Sequence, residues 1–186
     1  ESIQKLQDNL RHTHQKPEVR IFENVAGPQQ FLIDRYCNDN DKIEFSQYPL
    51  KICFLDIETY SPDTFPVPEK ATDVVNVITV YDSIDKKFYT WGLGEYKTDN
   101  KDVIYKNCPS ERELLLSFVE YIKKDHPDIL SGWNSEFFDI PYLINRITKV
   151  IGEDFAKQLS PINVLYSRNI LSQFGKYNTR WHIKGM

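Results

Sequence analysis

The chain has 186 residues, of which 40% are apolar, 13% aromatic and 27% charged. That composition excludes a disordered tail and gives room for one globular domain with part of a second. No apolar window is long enough for a membrane span, and Glu1 opens the chain without a basic and apolar leader, so it reads as a piece of a longer protein with no secretory signal. Cys37, Cys53 and Cys108 are too few and too scattered for a disulfide framework or a zinc site, which makes a reducing cytoplasm the default compartment. The net charge of -4 argues against a protein that coats nucleic acid, but it hides an asymmetry. Residues after Asp139 have seven Lys or Arg against two acids, a balance of +5, and residues 1–139 have 16 against 25, a balance of -9.

Taken in chain order, Ile3, Leu6 and Leu10 at helical spacing predict a short surface helix closed by Pro17. Val19 to Phe22 and Phe31 to Ile33 are β-prone runs separated by the turn signal Gly27-Pro28. These segments look like the remnant of a small preceding domain, residues 1–48, with the boundary at Tyr48-Pro49. Leu50 to Leu55 is a nearly continuous apolar run and predicts a strand buried on both faces. A Pro-rich loop follows, then strands over Val74 to Tyr81 and Lys87 to Trp91, joined as an antiparallel hairpin by Asp82 to Asp85. Val103 to Tyr105 adds a short edge strand.

Ser110 and Glu113 form a capping box, behind which Leu114, Leu115, Phe118, Val119 and Ile122 define the apolar face of a helix that Pro127 ends. Ile129-Leu130 predicts a brief strand and Gly132-Trp133-Asn134 a loop. Leu143, Ile144, Ile147, Val150 and Ile151 mark a second helix, which stops at Gly152. Arg168 to Gln173 and Tyr177 to Ile183 are spaced to pair as a hairpin. The order predicts a mixed sheet with packed helices, and it sets the end of the first strand near the sheet's centre, where ligands gather.

Asp56 and Glu58 continue the most apolar strand, and the period of two puts both carboxylates on one face. Exposed acids at a strand end are the commoner meaning of Asp-x-Glu. Acids that extend a buried run need neutralisation, however, and a hard divalent cation such as Mg²⁺ or Mn²⁺ supplies it through oxygen ligands. Asp139, just before Pro141, has the ordinary reading of a helix N-cap. Beside Asp56 and Glu58 it is a third carboxylate able to bridge to a second ion, with two ions about 3.5 to 4 Å apart serving a phosphodiester cleavage.

Phe54-Leu55-Asp56-Ile57-Glu58-Thr59 resembles the first exonuclease motif of family B DNA polymerases, and Asn134-x-x-x-Phe138-Asp139 resembles the second. Between them Phe65-Pro66-x-Pro68 and Ile78 to Asp85 with Phe88-Tyr89 resemble the polymerases of T-even-type bacteriophages. The resemblance implies a 3′-5′ proofreading exonuclease of the ribonuclease H-like α/β fold over residues 49–186, preceded by the tail of the polymerase's N-terminal domain. It implies that Asp56 touches both metals, Glu58 the nucleophile-side ion and Asp139 the leaving-group-side ion.

By the same resemblance Phe65 wedges against the terminal bases, and Asn134 with Phe138 holds the frayed strand; stacking of this kind tolerates any base. An aromatic that simply anchors its loop is the plain alternative for Phe65. The C-terminal hairpin corresponds to an element that helps part primer from template, with Arg168, Lys176, Arg180 and Lys184 on phosphate and Phe174 or Tyr177 near its tip. The implied partners are a single-stranded DNA 3′ end, the palm, fingers and thumb of the polymerase, and a sliding clamp reached through it. The implied setting is the cytoplasm of an infected bacterium, with no membrane.

The family's third motif, Tyr-x-x-x-Asp, is expected several dozen residues beyond the hairpin. Tyr60 lacks the spacing, since position 64 is Thr, and Tyr81 with Asp85 belongs to the earlier strand pair. The two-ion site within this sequence is therefore expected to be incomplete and turnover weak. The alternatives are a non-enzymatic module for single-strand binding or assembly of a split polymerase, and a ribonuclease of the same general fold.

Overall fold

The computed structural model describes residues 27–36, 49–62, 64–171 and 177–186. The chain divides into two compact units, Glu1–Gln47 and Tyr48–Met186. In the first unit the described element is helix α1, Gly27–Tyr36. This corrects the expected turn at Gly27-Pro28 and the expected strand at Phe31 to Ile33. Proline is well suited to the first turn of a helix, where its missing N–H costs nothing. Gln30 also donates to the Asp34 carboxylate four residues on, at 2.7 Å. The helix expected over Ile3 to Leu10 and the strand over Val19 to Phe22 lie outside the described residues.

The second unit is built on a five-stranded sheet in the order β4-β3-β2-β1-β5. Its strands are β1 (Ile52–Tyr60), β2 (Val74–Asp82), β3 (Lys87–Gly92), β4 (Val103–Asn107) and β5 (Ile129–Ser131). β1, β2 and β3 run antiparallel in sequence, whereas β5 pairs parallel with β1 and β4 parallel with β3. β2 is central and β1 lies beside it, paired on both sides, so the first strand is near the centre of the sheet as expected. β1 is also the strand where antiparallel pairing gives way to parallel.

Helices α2 (Glu111–Asp125) and α3 (Asp139–Val150) cover one face of this sheet. Cys53, Leu55 and Ile57 from β1 and Ile78 and Val80 from β2 point into that layer. They meet Leu114, Phe118 and Ile122 of α2 and Leu143, Ile144 and Ile147 of α3, all buried. The capping residue Ser110 accepts from the Glu113 N–H at 3.3 Å, and the five apolar positions expected on α2 are all in the core. α2 ends at His126, whose left-handed backbone lets its N–H reach the Ile122 carbonyl.

The other face of β1 carries Phe54, Asp56 and Glu58, all exposed. A strand buried on both faces was expected. The structure shows one-sided burial, with Phe54 at 47% exposure, because both long helices pack on the same side. The outward row instead forms a short aromatic ladder, Phe54 against Tyr81 and Tyr81 against Phe88.

After α3 comes the short helix α4 (Glu153–Lys157), then the hairpin of β6 (Leu165–Leu171) and β7 (Tyr177–Ile183). The expected pairing is present, with Arg168 opposite Arg180 and Tyr166 opposite His182. Its first strand begins at Leu165, three residues earlier than the sequence predicts. Among the described residues no helix is long and apolar enough to cross a membrane.

Candidate active site

The start of α3 sets Asp139 against the backbone of β1 between Asp56 and Glu58. Asp56 and Glu58 share the outward face of β1, and a register shift between Glu58 and Thr59 marks a bulge in the pairing with β2 beside them. Asp139 is the first residue of α3 and is 3% exposed. The N-cap position belongs to Phe138, which makes no side-chain cap, so Asp139 is not the N-cap of its helix. Its Oδ1 accepts from the Ile57 backbone N–H at 3.1 Å, across to the strand that bears the other two acids.

Burial pushes the Asp139 carboxyl up to about 6, beyond what the backbone hydrogen bonds from its own N–H and that of Ile57 can offset. The negative charges of Asp56 and Glu58 push the same way. The costly buried acid is thus Asp139. Asp56 and Glu58, expected to be buried, are exposed for the reason given above.

Asp56 and Asp139 line a cleft of about 490 Å³ together with Phe65, Trp133, Asn134 and Phe138. Phe65 is 79% exposed, and its ring lies 5.5 Å from that of Phe138. Asn134 takes a left-handed backbone (φ 56°), and its carbonyl accepts from the N–H groups of Phe137 and Phe138, which closes the turn leading into α3. Trp133, 94% exposed on the cleft wall, received no role from the sequence. An aromatic inside a Gly-Trp-Asn turn that reaches no core is the signal that marks it.

Glu58 does not line the cleft, and its nearness registers through its charge on Asp139. Among the described residues no three His, Cys, Asp or Glu side chains converge closely enough to hold a metal ion. The donor chemistry nonetheless suits a hard divalent cation, since the groups are carboxylates whose charges act against one another.

A second acidic group lies at the opposite end of β1. Lys51 Nζ is 2.8 Å from Asp82 and 3.5 Å from Asp125, and the Tyr121 hydroxyl donates to Asp82 at 3.2 Å. Burial raises the Asp82 carboxyl, but the hydrogen bonds from Lys51 and from the Asp85 and Ile84 N–H groups outweigh it and hold the carboxyl below the ordinary range. Tyr121 and Asp125 have Tyr-x-x-x-Asp spacing, yet their partners are Lys51 and Asp82, so they do not complete the cleft.

On the hairpin, Tyr166 stacks on His182 at 4.6 Å, with the Arg168 guanidinium and the Lys184 ammonium each over the Tyr166 ring. Arg180 pairs with Glu136 and ties β7 to the loop after β5. Phe174 and Lys176 lie outside the described residues.

A mixed sheet with helices on one face and an acid-lined cleft beside its parallel–antiparallel strand is the frame of the ribonuclease H-like fold. The chain belongs to the family B DNA polymerases, through their exonuclease domain, whose family model matches residues 14–184. It is 34% identical to the DNA-directed DNA polymerase of Escherichia phage RB69 and 31% identical to that of Enterobacteria phage T4, each over 78% of this chain. It is 33% identical to a DNA polymerase of Thermococcus litoralis over 73% of this chain. The chain spans 20% and 18% of the two phage relatives and 8% of the Thermococcus litoralis one.

Proposed function

We propose that this domain hydrolyses the 3′-terminal nucleotide of a frayed DNA primer as the proofreading exonuclease of a phage replicative polymerase. The observation that carries the reading is the nearly buried Asp139 carboxylate, anchored by the Ile57 N–H and facing Asp56 across a cleft walled by exposed aromatics. Asp56, Glu58 and Asp139 would hold Mg²⁺ or Mn²⁺, which supplies charge stabilisation for the phosphodiester and lowers the pKa of bound water. The Phe65 and Trp133 rings take the terminal bases by stacking, which does not depend on base identity. Phe138 backs Phe65, and Asn134 fixes the turn that presents Trp133 and Asp139 together.

No Tyr-x-x-x-Asp occurs within residues 140–186, so the carboxylate set in this sequence is three. On that set alone, ion binding is weak and turnover slow, because each carboxylate contributes to transition-state charge stabilisation. Residues 1–48 correspond to the tail of the polymerase's N-terminal domain. The remaining polymerase domains, and a sliding clamp through them, are the partners in the host cytoplasm.

The test is shortening of a 5′-labelled single-stranded DNA oligomer in Mg²⁺ or Mn²⁺, by this chain and by the chain joined to a segment bearing Tyr-x-x-x-Asp. A ladder from the 3′ end that strengthens with the added segment and disappears in Asp56→Ala supports the reading. A folded, completed protein that yields no ladder overturns it.

A second reading, single-strand binding without hydrolysis, is favoured by the Tyr166–His182 stack flanked by Arg168 and Lys184. It requires affinity that falls with salt and needs no divalent ion.

A further inference from the structure

The segment joining β1 to β2 carries Phe65, and one stripe of α3 holds that segment. Asn145 Nδ2 donates to the Pro68 carbonyl at 2.9 Å, and Lys149 donates to that of Lys70. Arg146 Nη1 donates to the carbonyls of Ala71 at 3.1 Å and Thr72 at 2.8 Å. The Tyr142 hydroxyl donates to the Asp73 carbonyl at 2.8 Å and accepts from the Asp73 N–H at 3.0 Å. Residues 142, 145, 146 and 149 follow the spacing i, i+3, i+4, i+7, a single line along the helix. Ala71 sits fully buried within the held segment in a left-handed conformation (φ 40°), which a non-glycine residue keeps only where its surroundings impose it.

The same helix begins with Asp139. Phe65 rests on Phe138, the residue before Asp139, and Phe138 in turn lies 5.7 Å from Tyr142. Arg146 is itself held rigid by Glu111, with Nε to Oε1 and Nη2 to Oε2 both at 2.7 Å. Glu111 Oε1 also accepts from the Val75 N–H at the start of β2. A planar guanidinium makes all these bonds at once, and a lysine does not.

We propose that α3 is a strut that fixes the Phe65 ring relative to Asp139, with Asn145 and Arg146 as its positioning residues. Resting on the exonuclease reading above, this makes the helix the element that sets which phosphodiester lies at the carboxylates when the terminal bases stack on Phe65.

Arg146 also ties α3 to α2 through Glu111, so its replacement endangers the fold, and Asn145→Ala is the cleaner variant. The probe is a single-stranded DNA oligomer with 2-aminopurine at its 3′ end, titrated with the whole chain without divalent ion. Asn145→Ala weakens binding about three- to tenfold, the loss of one hydrogen bond that orders the loop. It has no further effect when Phe65 is already Ala, and Thr148→Ala, whose hydroxyl donates within its own helix to the Ile144 carbonyl, changes nothing. Equal losses from Asn145→Ala with and without Phe65 would overturn the proposal and reduce the clamp to ordinary loop packing.

If the wild-type chain binds no DNA, the exonuclease reading rests on the 3′-end ladder of the completed protein, and the strut is judged by hydrogen exchange at the Phe65 and Val67 amides. Exchange that quickens about tenfold in Asn145→Ala, with β1 amides unchanged, sustains it; unchanged exchange refutes it.

Discussion

Asp139 is buried where its charged form is disfavoured, and this has a stability consequence with a definite sign. Its folded carboxyl lies at about 6 against 3.8 for the free group. The folded state therefore binds the proton more tightly, so the stabilisation is complete below pH 3.8 and is lost as the pH rises through about 6. Without divalent ion, Asp139→Asn keeps an oxygen for the Ile57 N–H and removes the charge. Denaturant unfolding at pH 7.5 then finds Asp139→Asn more stable than wild type by about 2 to 3 kcal/mol, with the gap closing by pH 4. A variant less stable at pH 7.5 contradicts this account of the burial.

All three acids were legible in the sequence, two from strand periodicity and one from its place before a helix. Which of them is buried was not. Sequence gives the alternation along β1 but not that α2 and α3 choose the same side of the sheet, and that choice exposes Asp56 and Glu58.

At the scale of elements, local chemistry predicts well where it acts alone. Ser110 caps α2 as its capping pattern requires, and Ser110→Ala lowers stability by about 1 kcal/mol in thermal or denaturant unfolding. Gly132 shows a constraint that composition does not reveal. A Cβ there would meet the Leu55 carbonyl oxygen at 2.3 Å and the Ser135 Cβ at 3.0 Å, in the turn between β5 and α3. Gly132→Ala pushes that turn off β1, with an expected loss of about 2 kcal/mol or more and weakened single-strand binding through displaced Trp133 and Asn134. Stability within about 0.5 kcal/mol of wild type contradicts the close approach.

α1 escaped sequence reading because Gly-Pro signals a turn and a helix start with equal force. Strand periodicity carries β1 to Glu58, and its continuation through Tyr60 was hidden because the pairing with β2 beyond the Glu58–Thr59 register shift leaves no mark in the sequence.

For the whole molecule, the charge asymmetry finds a physical place in part. The acidic residues supply the cleft and the Lys51–Asp82–Asp125 group, and the basic C-terminal stretch supplies the Arg168–Tyr166–Lys184 stack. If both cations contact phosphate, replacing Arg168 and Lys184 by Ala lowers the slope of log affinity against log salt by about 0.7 for each, measured on a single-stranded oligomer. An unchanged slope assigns them to ordinary surface charge. The ribonuclease H-like architecture was readable from the order of elements and the two motifs. Lys51, Tyr121 and Asp125 were not readable as a group, since only folding brings the start of β1 beside α2.

If Asp56, Glu58 and Asp139 form a divalent-ion site, Mn²⁺ titration followed by electron paramagnetic resonance finds weak, saturable binding to the wild-type chain, lost in Asp56→Ala and retained in Asp125→Ala, which alters only the acidic group at the other end of β1. Binding that persists in a folded Asp56→Ala variant, or that disappears in Asp125→Ala instead, contradicts that site.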